Sequence, residues 1–189
     1  ETGLTALDNV AFGLEIAGLG RSERRAKAAA YLDLVGLSAF ARHYPHEMSG
    51  GMKQRVAIAR SLAYEPEVLL MDEPFAALDA QTRETLQEEL VDIWHRTGKT
   101  IVFITHGIDE AVVLGQRVAV MTSRPGRIKE IVDIPDTLRA DTPDVRSLPL
   151  FGELRHQIWS LLHDEVAVAR QQRRARIATL PARKESFHV

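Results

Sequence analysis

Cysteine is absent from this 189-residue chain. Disulfide frameworks and thiolate metal sites are therefore excluded, and the composition fits a reducing compartment. No apolar run approaches the roughly 20 residues needed to span a bilayer. The formal net charge is only −2, which gives no support for bulk nucleic-acid binding. There is no internal repeat and no heptad array. The phosphate-binding pattern G-x-x-x-x-G-K-[ST] is missing too. Gly98-Lys99-Thr100 has Ile93 where the earlier glycine is required, and it follows a helical pattern and opens a β-branched run, the reverse of the order such a loop needs. Glu1 stands where an initiator Met would, inside what reads as a running domain. What remains is ordinary: 45% hydrophobic and 26% charged residues, enough for one domain with a real core.

The most informative stretch runs from Met48 to Asp79. Ser49-Gly50-Gly51 reads as a glycine turn with exposed backbone N–H groups. A helix follows at once, with Val56, Ala59 and Ala63 at helical spacing from Met52. Backbone donors at such a helix N-terminus suit an anion, phosphate above all. After Glu65-Pro66, the continuous run Val68-Leu69-Leu70-Met71 predicts a central strand buried on both faces. It ends in Asp72-Glu73-Pro74, two carboxylates at the carboxyl end of a strand, where open α/β sheets bind ligands.

The rest of the chain supports an α/β fold. Thr5 to Ala17 predicts a helix with Thr5 or Asp8 as N-cap, and Ser22 to Val35 a second, capped by Ser22 and stopped by Gly36. A short third helix is expected around Ser38 to Arg42. Three helices without a strand between them form a small helical subdomain. Ala80 to Arg96 is a long helix ended by Gly98; Thr100 to Thr105 is a strand, Asp109 to Leu114 a helix and Arg117 to Thr122 another strand. Arg127 to Ile134 alternates and is expected to be antiparallel, near an edge. The alternating order argues for a parallel core. Asp136 to Pro149 reads as loop, Phe151 to Val166 as an amphipathic helix, and the chain from Arg170 as a basic, mobile tail. His156 and His163 lie two turns apart, poor spacing for joint metal ligation. The Arg173-Arg174-Arg176 cluster reads as a solvated tail. The expected domains are residues 1–64, the helical subdomain with its closing turn and helix; 65–134, the α/β catalytic portion; and 135–189, the loop, helix and tail.

MSGGMKQRVAIAR resembles the signature motif of ABC-type ATPases, VLLMDEP their Walker B strand, Ala76-Ala77-Leu78-Asp79 their D-loop and Ile104-Thr105-His106 their switch-histidine segment. Four motifs in family order are far more specific than any one of them. The resemblance implies a P-loop NTPase-like parallel sheet, an incomplete ABC nucleotide-binding domain with an inserted α-helical subdomain. It implies ATP and Mg²⁺ as ligands. Asp72 would hold Mg²⁺ through water, Glu73 would be the base that polarises the attacking water, and His106 would contact the γ-phosphate and position Glu73. For an isolated Asp-Glu, the plainer reading is a helix cap followed by a surface acid. Ser49, Gly50, Gly51 and Met52 would meet the nucleotide held by the opposite subunit of a head-to-tail dimer. Met52 stands where Gln is commoner, and a thioether cannot donate a hydrogen bond, so the contacts there fall to the backbone. Asp79 would act across the dimer interface, a role compatible with capping the Ala80 helix. Gly107, where an acid often follows the histidine, is expected to loosen that turn.

PFAALDAQTRETLQEEL, IWHRTGKTIVFITHGIDEAVVLGQRVAVMTSRPGRI and FGELRHQIWSLL are similar to the nitrate/sulfonate/taurine group of bacterial ABC importers. That likeness implies a peripheral subunit on the cytoplasmic face of the inner membrane. Its partners would be a second ATPase subunit, transmembrane permeases met through the helical subdomain and, indirectly, a periplasmic solute-binding protein; no nucleic acid is expected. The alternatives are a non-transport ABC ATPase, whose chromosome and repair types the missing coiled coil disfavours while its translation types stay open, and a truncated non-catalytic subunit. The absent P-loop and glutamine loop predict a fragment of the domain. Such a piece is expected to hydrolyse little ATP by itself and to expose an apolar sheet edge.

Overall fold

The computed structural model describes residues 3–138 and 144–178, with side chains in the last helix described through His163. The chain divides into two compact units, Glu1–His106 and Gly107–Val189.

The first unit opens with three mutually packed helices, α1 (Ala6–Ile16), α2 (Arg21–Leu34) and α3 (Gly50–Ala63). Thr5 caps α1, its hydroxyl oxygen accepting from the Asp8 N–H at 3.2 Å. The expected Ser22 cap on α2 is not found. The helix starts one residue earlier, and Gly20 is the N-cap, its carbonyl accepting from the Arg24 N–H. Gly36 ends that helix region at φ +68°, and the third short helix is a 3-10 turn at Ser38–Phe40. Val10, Leu14, Ala28, Leu32 and Leu62 are buried, and helical periodicity puts each on its helix's inner side. Glu65, in the turn after α3, is itself left-handed at φ +53°. Its carboxylate accepts from Lys27 and the Tyr31 hydroxyl, and Lys27 foremost holds its pKa below the ordinary value.

Strand β1 (Val68–Asp72) follows, then helix α4 (Ala80–Thr97) and strand β2 (Thr100–Ile104). β1 and β2 are parallel and in register from Val68↔Thr100 to Asp72↔Ile104. Gly98 stops α4 in a left-handed conformation, φ +60°, its N–H donating to Trp94 O. Gly98-Lys99-Thr100 is thus a helix stop and a strand start.

Burial on both faces of β1 is not realised. Leu69 and Met71 are buried, but Val68 and Leu70 are 53% and 66% exposed, and Val102 and Ile104 continue the same bare face on β2. Elements cover only one side of the pair. A continuous apolar run hides the two-residue alternation that would have revealed this. Nor is β1 a central strand among the described residues, since β2 is its one neighbour there.

The second unit holds α5 (Ile108–Leu114), β3 (Arg117–Met121), β4 (Ile128–Asp133) and α6 (Pro149–Ala178). β4 is antiparallel to β3, as its alternation predicted, so the expected parallel core is confined to β1 and β2. Val112, Val120, Val132, Ile134, Leu138, Phe151, Leu154 and Ile158 form its core. His156 and His163 lie on the exposed side of α6, each stacked on Trp159. α6 runs twelve residues beyond the expected end at Val166, taking in the start of the basic segment. Ala, Arg and Gln dominate there and are strong helix formers, a preference that outweighs the charge density. The tail beyond Ala178 lies outside the described residues.

Replacing a buried and an exposed neighbour on β1 separates its two faces. Leu69→Ala is expected to cost roughly 2–5 kcal/mol in urea denaturation, and Leu70→Thr less than about 1 kcal/mol. Equal losses would mean that the second face is covered.

Candidate functional site

The site is built where the two parallel strands end. Because Asp72 is in register with Ile104, residues just past each strand emerge side by side. The chain leaves β1 through Glu73, whose N–H donates to Ile104 O at 2.9 Å and whose φ is +47°. A left-handed conformation costs a residue with a Cβ about 1–2 kcal/mol. That turn brings the Glu73 carboxylate to His106, two residues beyond β2. His106 Nδ1 lies 2.7 Å from both carboxylate oxygens. A carboxylate can only accept, so the pairing puts the imidazole proton on Nδ1. The His106 side chain is 81% exposed, and an exposed pair contributes at most about 1 kcal/mol. Fold stability is thus a poor reason for the arrangement, since the backbone cost offsets the gain.

Asp72 is exposed at the strand end beside this pair. Among the described residues no group of three or more His, Cys, Asp or Glu side chains could hold a metal ion. A lone carboxylate fits Mg²⁺ bound mainly by water and phosphate oxygens, and fits poorly a cation caged by protein.

Ser49 is the N-cap of α3, its Oγ accepting from the Met52 N–H at 3.2 Å. The first backbone bond of the helix runs from Lys53 N to Ser49 O, so the Gly50 and Gly51 N–H groups precede it, at the positive end of the helix dipole. The two glycines, read from the sequence as a turn ahead of the helix, are the helix's own first turn. Their missing side chains have a packing cause. A Cβ on Gly51 would lie 2.8 Å from Thr82 Cγ2, and one on Gly50 3.3 Å from Leu78 Cδ2. Met52 is half-buried in the same turn.

Asp79 caps α4. Its Oδ1 accepts from the Thr82 N–H at 2.9 Å and its Oδ2 from the Thr82 hydroxyl at 2.7 Å. These donors, the backbone one foremost, hold the Asp79 carboxyl below its ordinary pKa. Gly107 caps α5 at φ −88°, a conformation open to any residue. The structure therefore brings Glu73 to His106, and the Ser49–Gly51 turn to the segment ending at Asp79. Sequence reasoning named Leu78 only within the Ala76–Asp79 segment, without its contact on Gly50, and missed Thr82. The Asp79-x-x-Thr82 spacing announces a cap, but the contact with Gly51 is non-local.

A family model described as "ABC transporter" matches residues 1–76. An uncharacterised ABC transporter ATP-binding protein of Methanocaldococcus jannaschii is 54% identical over 162 residues, covering 86% of this chain and 59% of that protein. A taurine import ATP-binding protein of Rhizobium johnstonii is 53% identical, covering 84% of this chain and 62% of that one. A nitrate import ATP-binding protein of Synechocystis is 50% identical, with the same coverage of 84% and 62%. The chain spans about three-fifths of the length of these curated relatives. A solved ABC transporter, described as of metal-chelate type and inward-facing, superposes with a TM-score of 0.62 at 25% identity, over 69% of this chain and 52% of its own.

Two measurements on the chain itself check this geometry. Glu73→Ala and Glu73→Gly both remove the carboxylate, but only glycine relieves the left-handed backbone. The glycine variant is expected to be more stable by about 1 kcal/mol in urea; equal stabilities would refute the strained turn. The Asp79 carboxyl is depressed in the folded chain, so its contribution is complete above about pH 4 and is lost as pH falls further. Asp79→Asn should therefore lower stability near neutrality and weaken its loss on acidification. An unchanged acid limb would remove Asp79 from that role.

Proposed function

Because this chain belongs to the ABC transporter ATP-binding family, we propose that it serves as the ATP-binding and ATP-hydrolysing subunit of an importer for nitrate, taurine, sulfonate or a similar small solute. The observation that carries the chemistry is the Glu73–His106 pair at the carboxyl ends of β1 and β2. The names of the taurine and nitrate import relatives support the solute class.

Glu73 is the general base. Its carboxylate accepts a proton from the attacking water, and His106 Nδ1–H fixes the direction in which that carboxylate points. With Nδ1–H given to Glu73, Nε2 is left as the imidazole's second functional atom, and it donates to a γ-phosphate oxygen when the ring carries its second proton. Asp72 would hold Mg²⁺ through water, and the ion would supply neutralisation of the charge on the phosphate oxygens. Ser49, Gly50, Gly51 and Met52 contribute the positive end of α3 to the γ-phosphate of a nucleotide held by a second ATPase subunit in a head-to-tail dimer. Asp79 faces the same dimer interface. The helical subdomain of α1 and α2 meets the permease subunits, and through them the subunit responds to a periplasmic solute-binding protein. Its place is peripheral, on the cytoplasmic face of the bacterial inner membrane. Among the described residues no helix is long and apolar enough to cross a membrane.

In the full-length subunit assembled with its permeases, Glu73→Gln is expected to lower ATP turnover by roughly 100-fold or more while ATP binding persists. His106→Ala should cost a comparable factor. Turnover within twofold of wild type in either variant would overturn these roles. The 189-residue chain alone contains no G-x-x-x-x-G-K-[ST] cradle and should hydrolyse no ATP above background. Hydrolysis by this chain that Glu73→Gln abolishes would contradict that expectation.

A further inference from the structure

We propose that Thr82 is a positioning residue whose methyl group sets the seat of the Ser49–Gly51 turn, tying that turn to the loop that ends at Asp79. A threonine in a helix divides between two rotamers, because its hydroxyl can bond in either. Here the Asp79 carboxylate selects one. Asp79 Oδ2 accepts from the Thr82 hydroxyl at 2.7 Å while Oδ1 accepts from the Thr82 N–H at 2.9 Å. With the hydroxyl pinned, Cγ2 points to the first turn of α3, so close that a Cβ on Gly51 would lie 2.8 Å from it. Contacts that short are not tolerated without movement. Leu78 makes a looser contact of the same kind over Gly50, where a Cβ would lie 3.3 Å from its Cδ2. Farther along the same helices, Arg55 of α3 is paired with Glu89 of α4. The glycine at 51 is thus required from outside its own helix, by a methyl group that Asp79 holds in place.

The consequence is mechanical. A displacement of the Ala76–Asp79 loop toward α3 presses on the N-terminus of that helix, because Asp79 holds the Thr82 methyl against Gly51. Thr82 itself need touch no nucleotide. Its effect on hydrolysis rests on the function proposed above; the contact with Gly51 does not.

The test is a double-mutant cycle with two readouts. In urea denaturation of the 189-residue chain, Gly51→Ala is expected to lower the midpoint by roughly 0.5–1 M. Thr82→Ser removes Cγ2 and keeps the hydroxyl, so Gly51→Ala combined with Thr82→Ser should recover more than half of that loss. Additive effects would overturn the contact. In the full-length subunit assembled with its permeases, Thr82→Ser should raise the KM for ATP by roughly fivefold with kcat changed less than twofold. Thr82→Val, which keeps a methyl at the same place, should stay near wild type. A KM that follows the hydroxyl rather than the methyl, or that moves in neither variant, would overturn the positioning role. An assembled wild type that hydrolyses no ATP would overturn the proposed function, and the denaturation cycle would still decide the contact.

Discussion

The parallel pairing of β1 with β2 is the constraint from which the rest of the site follows. Residues 72 and 104 are brought opposite each other by ladder hydrogen bonds that know nothing of catalysis. Once they are, the two chain exits have one place to go. Glu73 takes its N–H to the Ile104 carbonyl, accepts a left-handed backbone in return, and its carboxylate meets His106. A shift of register by one residue would turn every side chain of β1 to the other face and separate the pair. The catalytic geometry is therefore a consequence of register, with one strained residue as the local cost.

Much of this was legible in the residues, for identifiable reasons. The stop at Gly98 could be read because a helical period ended at a residue able to take positive φ, and the structure puts it at +60°. The helix α3 itself followed from the spacing of Met52, Val56, Ala59 and Ala63, whereas its start at a Ser49 cap did not. The antiparallel character of β4 followed from its alternation. Other features were hidden by their physics. Glu73's left-handed turn is imposed by the carbonyl of Ile104, thirty-one positions away in sequence, and no local pattern announces it. The one-sided burial of β1 was masked because both of its faces are apolar. The length of α6 was underread because charge was weighed above helix propensity. His106 was tied to Glu73 by family resemblance, since a histidine at a strand end carries no such signal by itself.

The bare face of Val68, Leu70, Val102 and Ile104 belongs to the same account. Each of these side chains, about half exposed, forgoes roughly half of the 1.5–3 kcal/mol that full burial would contribute. Asp72 ends that face on β1, and Glu73 and His106 lie just past the strand ends, where two ladder partners run out. The helical layer of α1 to α3 contributes a second feature, an N-terminus held by packing on α4 rather than by an unusual glycine backbone. Two kinds of support thus meet in one unit, strand register for the acid and histidine, and helix packing for the donors.

The central claim is that register delivers the Glu73 carboxylate to His106 Nδ1. It is tested most directly by the imidazole ¹⁵N shifts of His106 in the 189-residue chain, recorded above the pH at which histidine is protonated. With Glu73 present the proton should reside on Nδ1, and Glu73→Ala should shift it toward Nε2. Identical nitrogen shifts in the two proteins would contradict the account.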